Sequence, residues 1–246
     1  PAFGLNALGG AVAFTLKDGA SAPGGEIELS GGGFGRRQGS AQYGVASGAL
    51  SAYGAVSVLE DDGWRDHSPS RLRNAYANVG WQGDGREIHL SLMGADNALT
   101  GNGPAPVELL ALRRASVFTY PDETDNRYGR AVLSGSRTLA GDWTLNGTAH
   151  LTALRQRTAN GDAAEVEPCD TNPALICPDD EDAPLTDEAG AAIPNVVTSS
   201  AYAAAFPRYR RGGPYALLNR TSTRTTSYGL AAQLNRTAPL LGLANR

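Results

Sequence analysis

Period-2 alternation over segments of about ten residues is the feature that most constrains this chain. Ile27, Leu29, Gly31 and Gly33 oppose Glu26, Glu28 and Ser30, and Leu50, Ala52, Gly54, Val56 and Val58 oppose Ser51, Tyr53 and Ser57. Ala75, Ala77, Val79 and Trp81 oppose Asn74, Tyr76 and Asn78, and Ile88, Leu90 and Leu92 oppose Glu87, His89 and Ser91. Trp143, Leu145, Gly147, Ala149 and Leu151 alternate with Thr144, Asn146, Thr148, His150 and Thr152, and Tyr228, Leu230, Ala232 and Leu234 alternate with Ser227, Gln233 and Asn235. Successive side chains of a strand point to opposite faces, so each segment predicts a strand with one apolar and one polar face. With Gly39 to Val45 and Arg127 to Leu139, whose facing the pattern does not fix, eight strands are expected. The 31 Gly and 14 Pro among 246 residues argue against long helices.

Connections between these segments sort by length. Ser47 to Ala49, Gln82 to Arg86, Ala140 to Asp142 and Thr237 to Leu241 are short, whereas Glu60 to Ser70, Asn97 to Asn126 and Thr158 to Thr223 are long. Short turns at one end and long loops at the other are the habit of an antiparallel transmembrane β-barrel. The short link at Arg36 to Gln38 departs from that scheme. A β-sandwich needs bulky side chains between its sheets. This chain has only 5 Phe and 1 Met, and its apolar faces are rich in Gly and Ala. Lipid tolerates such a face but penalises charge on it. Trp81, Trp143, Tyr43 and Tyr228 are expected towards strand ends, where an aromatic girdle would sit.

Other classes lose ground on simple counts. A net charge of −4 gives no field for nucleic acid. No run approaches the length of a membrane-crossing helix. No G-x-S-x-G elbow occurs, the 3 histidines are scattered, and the adjacent Asp66, His67 and Ser68 do not make a triad, so an enzyme is not expected. His89 and His150 fall on polar faces. The run Gly31, Gly32, Gly33 and Gly35 is followed by no helix pattern and no Lys-Ser/Thr pair, so phosphate cradling is not expected either. Cys169 and Cys177 lack nearby His and suit a surface disulfide better than a metal, which favours an oxidising compartment. Ten acids from Asp162 to Glu188 make the last long loop an acidic patch, and the Asp179, Asp180, Glu181 and Asp182 run does not match an EF-hand. No metal site and no cofactor follow from these patterns. The opening at Pro1 and the turn-like close from Pro239 to Arg246 read as an internal piece of a longer chain.

The opening segment carries a resemblance. Phe3-Gly4, Ala7, Gly9-Gly10, Val12, Phe14 and Lys17 follow the order of the closing plug motif of TonB-dependent outer-membrane receptors, with Ala13 and Leu16 departing from it. A Gly-rich linker from Asp18 to Gly25, a Gly-Phe-Gly element at Gly33 to Gly35 in the first strand, and the loop Asp62-Gly63-Trp64-Arg65-Asp66 are also similar to that family. The resemblance implies an all-β fold with residues 1–22 as plug end and linker, and residues 23–246 as about 8 of about 22 strands of an antiparallel transmembrane barrel. It implies an outer-membrane location and import of a scarce nutrient, a ferric siderophore before others. Outer-membrane lipid and the inner-membrane TonB complex would be the partners. Candidate ligand-approach residues are Arg208, Tyr209, Arg210 and Arg211, the densest basic-aromatic cluster of the sequence, within the loop Thr158 to Arg224; the loops Asp61 to Ser70 and Gly101 to Asn126 are the other candidates. Two rivals stand beside this reading: a complete eight-stranded outer-membrane barrel with a structural or adhesive role, and a secreted β-rich adhesin built as a sandwich or solenoid.

Overall fold

A computed structural model describes residues 15–196 and 215–236. Its strands are β1 Gly24–Gly31, β2 Arg37–Ser47, β3 Leu50–Asp61, β4 Ser70–Gly83, β5 Arg86–Thr100, β6 Asp122–Leu139, β7 Trp143–Ala163, β8 Val166–Pro168, β9 Ile176–Pro178 and β10 Ala216–Arg236, with one short helix, α1 Val107–Leu112. Eight of the strands make one antiparallel sheet in the order β1-β2-β3-β4-β5-β6-β7-β10, and β8 and β9 form a separate two-stranded hairpin. The strand count and the all-β class agree with the alternation of the sequence. The sheet is open, with β1 and β10 as its edges. Among the described residues the sheet does not close on itself, and no second sheet packs on either face.

Pairing carries the two-faced character of each strand across the whole sheet. One lateral row runs Gly25, Tyr43, Gly54, Ala77, Leu92, Ala131, Leu151, Tyr228, and every residue in it is apolar, aromatic or Gly. The rows on either side continue this face with Ile27, Val56, Val79, Leu90, Leu133, Ala149 and Leu230. Pairing also settles β6, since Gly129, Ala131, Leu133 and Gly135 oppose Gly94, Leu92, Leu90 and Ile88. The apolar face is left bare: Leu29 is 80% exposed, Ile27 76% and Leu230 85%.

Three tight turns close the hairpins at one end. Gly48 (φ 58) opens the turn between Ser47 and Leu50. Asp84 (φ 50) and Gly85 (φ 67) both take the left-handed conformation of an Asp-Gly hairpin between Gly83 and Arg86. Gly141 and Asp142 do the same between Leu139 and Trp143. Successive hairpins are staggered in one direction. The row through Leu50 and Trp81 lies two residues above the closing pair Gly83 and Arg86, and the row through Arg86 and Arg137 lies two residues above Leu139 and Trp143. A slide of about one residue (about 3.3 Å) per strand spacing of about 4.8 Å is a tilt of about 35°.

Two sequence expectations are corrected. The Gly33 to Gly35 element does not belong to β1, which ends at Gly31. Phe34 (φ 57) and Gly35 (φ 69) turn the chain into β2, closed by the Gly32 amide donating to the Arg36 carbonyl at 2.9 Å. Tyr43 and Tyr228 are not near strand ends; Tyr43 sits mid-strand in β2 opposite Gly54, and Tyr228 mid-strand in β10 opposite Leu151. The long connections are also shorter than expected, because β5, β6, β7 and β10 run on past the alternating segments into the loops.

Candidate functional site

The polar face and the long-loop end hold the described polar networks. On the polar face, the chain before β1 lies across β2 to β4. The Lys17 ammonium donates to Gln42 Oε1 at 3.1 Å, and the Tyr76 hydroxyl donates to the Lys17 carbonyl at 3.1 Å. Gln42 also accepts from the Tyr53 hydroxyl and donates to Glu26. A Cβ on Gly44 would meet the Ala22 carbonyl oxygen, so glycine admits this close approach of backbone to sheet. Tyr53 is buried beneath the segment and lies against the Tyr76 ring at 5.8 Å.

A second polar cluster sits nearer the tight turns. Asn78, only 4% exposed, donates to Ser91 Oγ at 2.9 Å and lies 3.2 Å from His89 Nδ1, while His89 Nε2 is 2.8 Å from Glu87. His150 is on the same face, as expected, but it pairs with Val132 while His89 pairs with Ser134, so the sheet does not bring the two rings together.

At the long-loop end, residues 62–69 and 101–121 pack as one unit. The Arg65 guanidinium donates to the Gly103 carbonyl at 3.2 Å and the Ser116 carbonyl at 2.7 Å. The Asp66 amide donates to the Ala115 carbonyl at 2.9 Å, and the Asp66 carboxylate pairs with Arg113. The His67 and Tyr120 rings stand 4.1 Å apart. Asp66, His67 and Ser68 therefore point to three separate partners, Ser68 Oγ donating to the Arg65 carbonyl at 2.6 Å. Between these loops lies a basic-aromatic group: the guanidinium carbons of Arg65 and Arg114 are 5.7 Å and 5.9 Å from the Trp64 ring centroid, and Trp64 is half-exposed. A ring flanked by two cations can stack on a planar ligand and attract an anionic one.

Sequence reasoning singled out Arg208, Tyr209, Arg210 and Arg211, which lie outside the described residues. It named the loops Asp61 to Ser70 and Gly101 to Asn126 as candidates but did not join Trp64 to Arg114, which stands fifty residues further on. The Trp64-Arg65 dipeptide was the signal within reach.

The last long loop is built around the expected disulfide. Cys169 and Cys177 are bonded at 2.08 Å and tie the β8–β9 hairpin, but both are wholly buried within the loop and not at its surface as expected. Asp182 lies beside them, but both sulfurs are used in the bond and offer no thiolate to a metal. The Thr171 amide donates to the Asp182 carboxylate at 3.2 Å, and the hydrogen bonds from Thr171 hold that carboxyl below its ordinary value. Buried Asn195 donates to the Pro173 carbonyl at 3.0 Å and accepts from the Tyr215 hydroxyl at 2.6 Å, fastening the loop beside the start of β10. No helix among the described residues is long and apolar enough to cross a membrane, which leaves open a crossing by strands. Comparison of the sequence with protein-family models and with curated proteins finds no match.

Proposed function

We propose that this chain is the end of the plug and the first eight strands of a TonB-dependent outer-membrane receptor, and that it takes part in energy-coupled import of a scarce nutrient, with a ferric siderophore as the leading cargo. The observation that carries the membrane part of the reading is the width of the charge-free apolar face. On β5, Arg86 and Asp96 bracket Ile88, Leu90, Leu92 and Gly94; on β6, Arg137 and Arg127 bracket Gly135, Leu133, Ala131 and Gly129; on β10, Arg236 and Arg224 bracket Leu234 to Thr226. Ten to twelve residues of strand, at a tilt of about 35°, rise about 27–32 Å, which matches the apolar thickness of a bilayer. Trp81 and Trp143 lie on the same face at the tight-turn end, where an interfacial girdle belongs.

The receptor part rests on the resemblance of the opening motif, together with the Lys17 to Ala22 segment lying on the polar face. In a barrel that face lines the lumen, where a plug resides. The long-loop end then faces outward, and Trp64 with Arg65 and Arg114 joins Arg208 to Arg211 as a candidate first contact for an anionic chelate. The role is binding and passage, with no catalytic step assigned.

Cell fractionation with iron limitation tests the proposal. The full-length gene product is expected in the outer membrane, at raised level when iron is withheld, and its deletion is expected to abolish uptake of at least one labelled ferric chelate. Recovery of the native product as a soluble periplasmic protein would refute the membrane reading. Outer-membrane location without any uptake defect, and without response to nutrient limitation, would refute the transport reading alone.

A further inference from the structure

The rim of the apolar face at the long-loop end carries a row of charges assembled from five strands. Pairing places Arg73, Asp96, Arg127, Arg155 and Arg224 side by side across β4, β5, β6, β7 and β10, and the next row adds Asp125 beside Arg157. Neighbours in such a row are about 4.8 Å apart at the backbone. Arg73 is taken by Glu60 at 3.7 Å and Arg127 is 3.5 Å from Asp96. Arg155, Arg157 and Arg224 have no carboxylate partner within ion-pair distance among the described residues. Like charges directly opposite each other on antiparallel strands are destabilising. Three adjacent arginines, Arg127, Arg155 and Arg224, therefore form a local excess of positive charge that an anion spanning them would relieve.

Two features say what kind of anion. Guanidinium groups bind phosphate through paired hydrogen bonds, and the strand spacing lets neighbouring groups share one phosphate. Immediately below the row, towards the tight turns, the same face narrows to Ala75, Gly94, Gly129 and Ala153, and a Cβ built on Gly94 or Gly129 meets nothing within 4 Å. A cationic rim thus opens directly onto a shallow apolar trough.

We propose that this rim is a docking site for the phosphate of an anionic lipid of the leaflet at the long-loop end, with an acyl chain lying in the trough beneath. The proposal rests on the reading that the apolar face meets a bilayer. Phosphate would sit between Arg127, Arg155 and Arg224, with Arg157 above, while Asp96 and Asp125 limit the site to one such group instead of a diffuse cationic patch.

The test uses the full-length protein in detergent micelles, stripped of lipid and titrated with a phosphorylated disaccharide lipid, with the same lipid lacking phosphate, and with inorganic phosphate, bound species being counted by native mass spectrometry. The phosphorylated lipid is expected to bind about ten-fold more tightly than its dephosphorylated form. The triple variant Arg127→Gln, Arg155→Gln, Arg224→Gln should erase that preference, whereas Arg86→Gln with Arg137→Gln at the opposite rim should keep it. A triple Arg→Lys variant, which preserves the charge but not the paired hydrogen bonds, should bind the phosphorylated lipid at least about three-fold more weakly than the parent. Equal binding of the two lipids, survival of the preference in the glutamine variant, parent-like affinity in the lysine variant, or displacement of the lipid by equimolar inorganic phosphate would each overturn the proposal. A protein that needs no detergent at all would instead overturn the bilayer reading and this proposal with it.

Discussion

Placing one charge in the middle of the apolar face discriminates sharply between a sheet in lipid and a sheet in water. Leu133 is the appropriate position. It lies between Leu90 and Ala149 in its row, is half-exposed, and stands six residues from Arg127 and four from Arg137 on the same face. Four residues at about 3.3 Å and a tilt of about 35° put it about 11 Å from the nearer charged rim. An arginine side chain starting there reaches the interface only in part, so Leu133→Arg is expected to cost about 2–4 kcal/mol in a bilayer. The same substitution at an exposed site in water costs within about 0.5 kcal/mol. Two kcal/mol is about a thirty-fold change in the folding equilibrium. Thr148→Arg, on the polar face between Ser134 and Ala231, is the matched control and should cost about 1 kcal/mol or less. Guanidinium titration of the full-length protein assembled in lipid vesicles reads both values. A Leu133→Arg variant as stable as the parent would refute the assignment of this face to lipid.

Three further outcomes follow from local geometry. Gly35→Ala should destabilise the β1–β2 turn by about 1–2 kcal/mol in the same titration, since φ is 69° and the new Cβ would meet the Asp62 carboxylate. Asn78→Ala should cost about 1–3 kcal/mol by leaving Ser91 and His89 without their buried partner, and Asn78→Asp should recover less than half of it if the Ser91 contact needs the amide donor. Asp182 in the disulfide loop titrates below its ordinary value of 3.8, so its support of the Thr171 amide is complete above that value and is lost as pH falls through the lowered pKa. Amide exchange at Thr171 should therefore be slow at pH 6 relative to its intrinsic rate and lose protection only as pH falls below 3.8, whereas Asp182→Asn should remove that pH dependence.

Legibility of the fold followed the solvent on each face. Where one face is apolar and the other polar, as in Leu50 to Val58 or Trp143 to Leu151, alternation marks the strand and assigns its faces. Where the two faces do not differ in polarity the signal vanishes although the strand continues. Thr158 to Ala163 in β7 and Ala216 to Thr223 in β10 are fully paired yet read as loop, because their mixture of small, polar and apolar residues shows no alternation. The Gly33 to Gly35 element looked like strand because glycine is silent in a hydrophobic pattern, and the left-handed backbone at Phe34 and Gly35 makes it a turn. The disulfide was legible because the two cysteines are close in sequence and have no competing ligands.

The candidate site was harder to see, for a related reason. A cluster is readable when its members are neighbours along the chain, as Arg208 to Arg211 are. The Trp64 group draws Arg114 from another loop, and the cationic rim draws single residues from five strands. None of Arg73, Arg127, Arg155 or Arg224 stands out in its own segment.

By itself the sequence determined the strand content, the separation of apolar from polar faces and the tight-turn end, since each depends on residues within a few positions of one another, and it favoured the disulfide that the structure then showed. Only the tertiary structure decided the one-residue stagger per strand, the open order from β1 to β10, the seating of Lys17 to Ala22 on the polar face and the row of arginines at the rim. These are set by backbone hydrogen bonds between distant segments, and the register those bonds choose is what turns scattered single charges into a continuous surface.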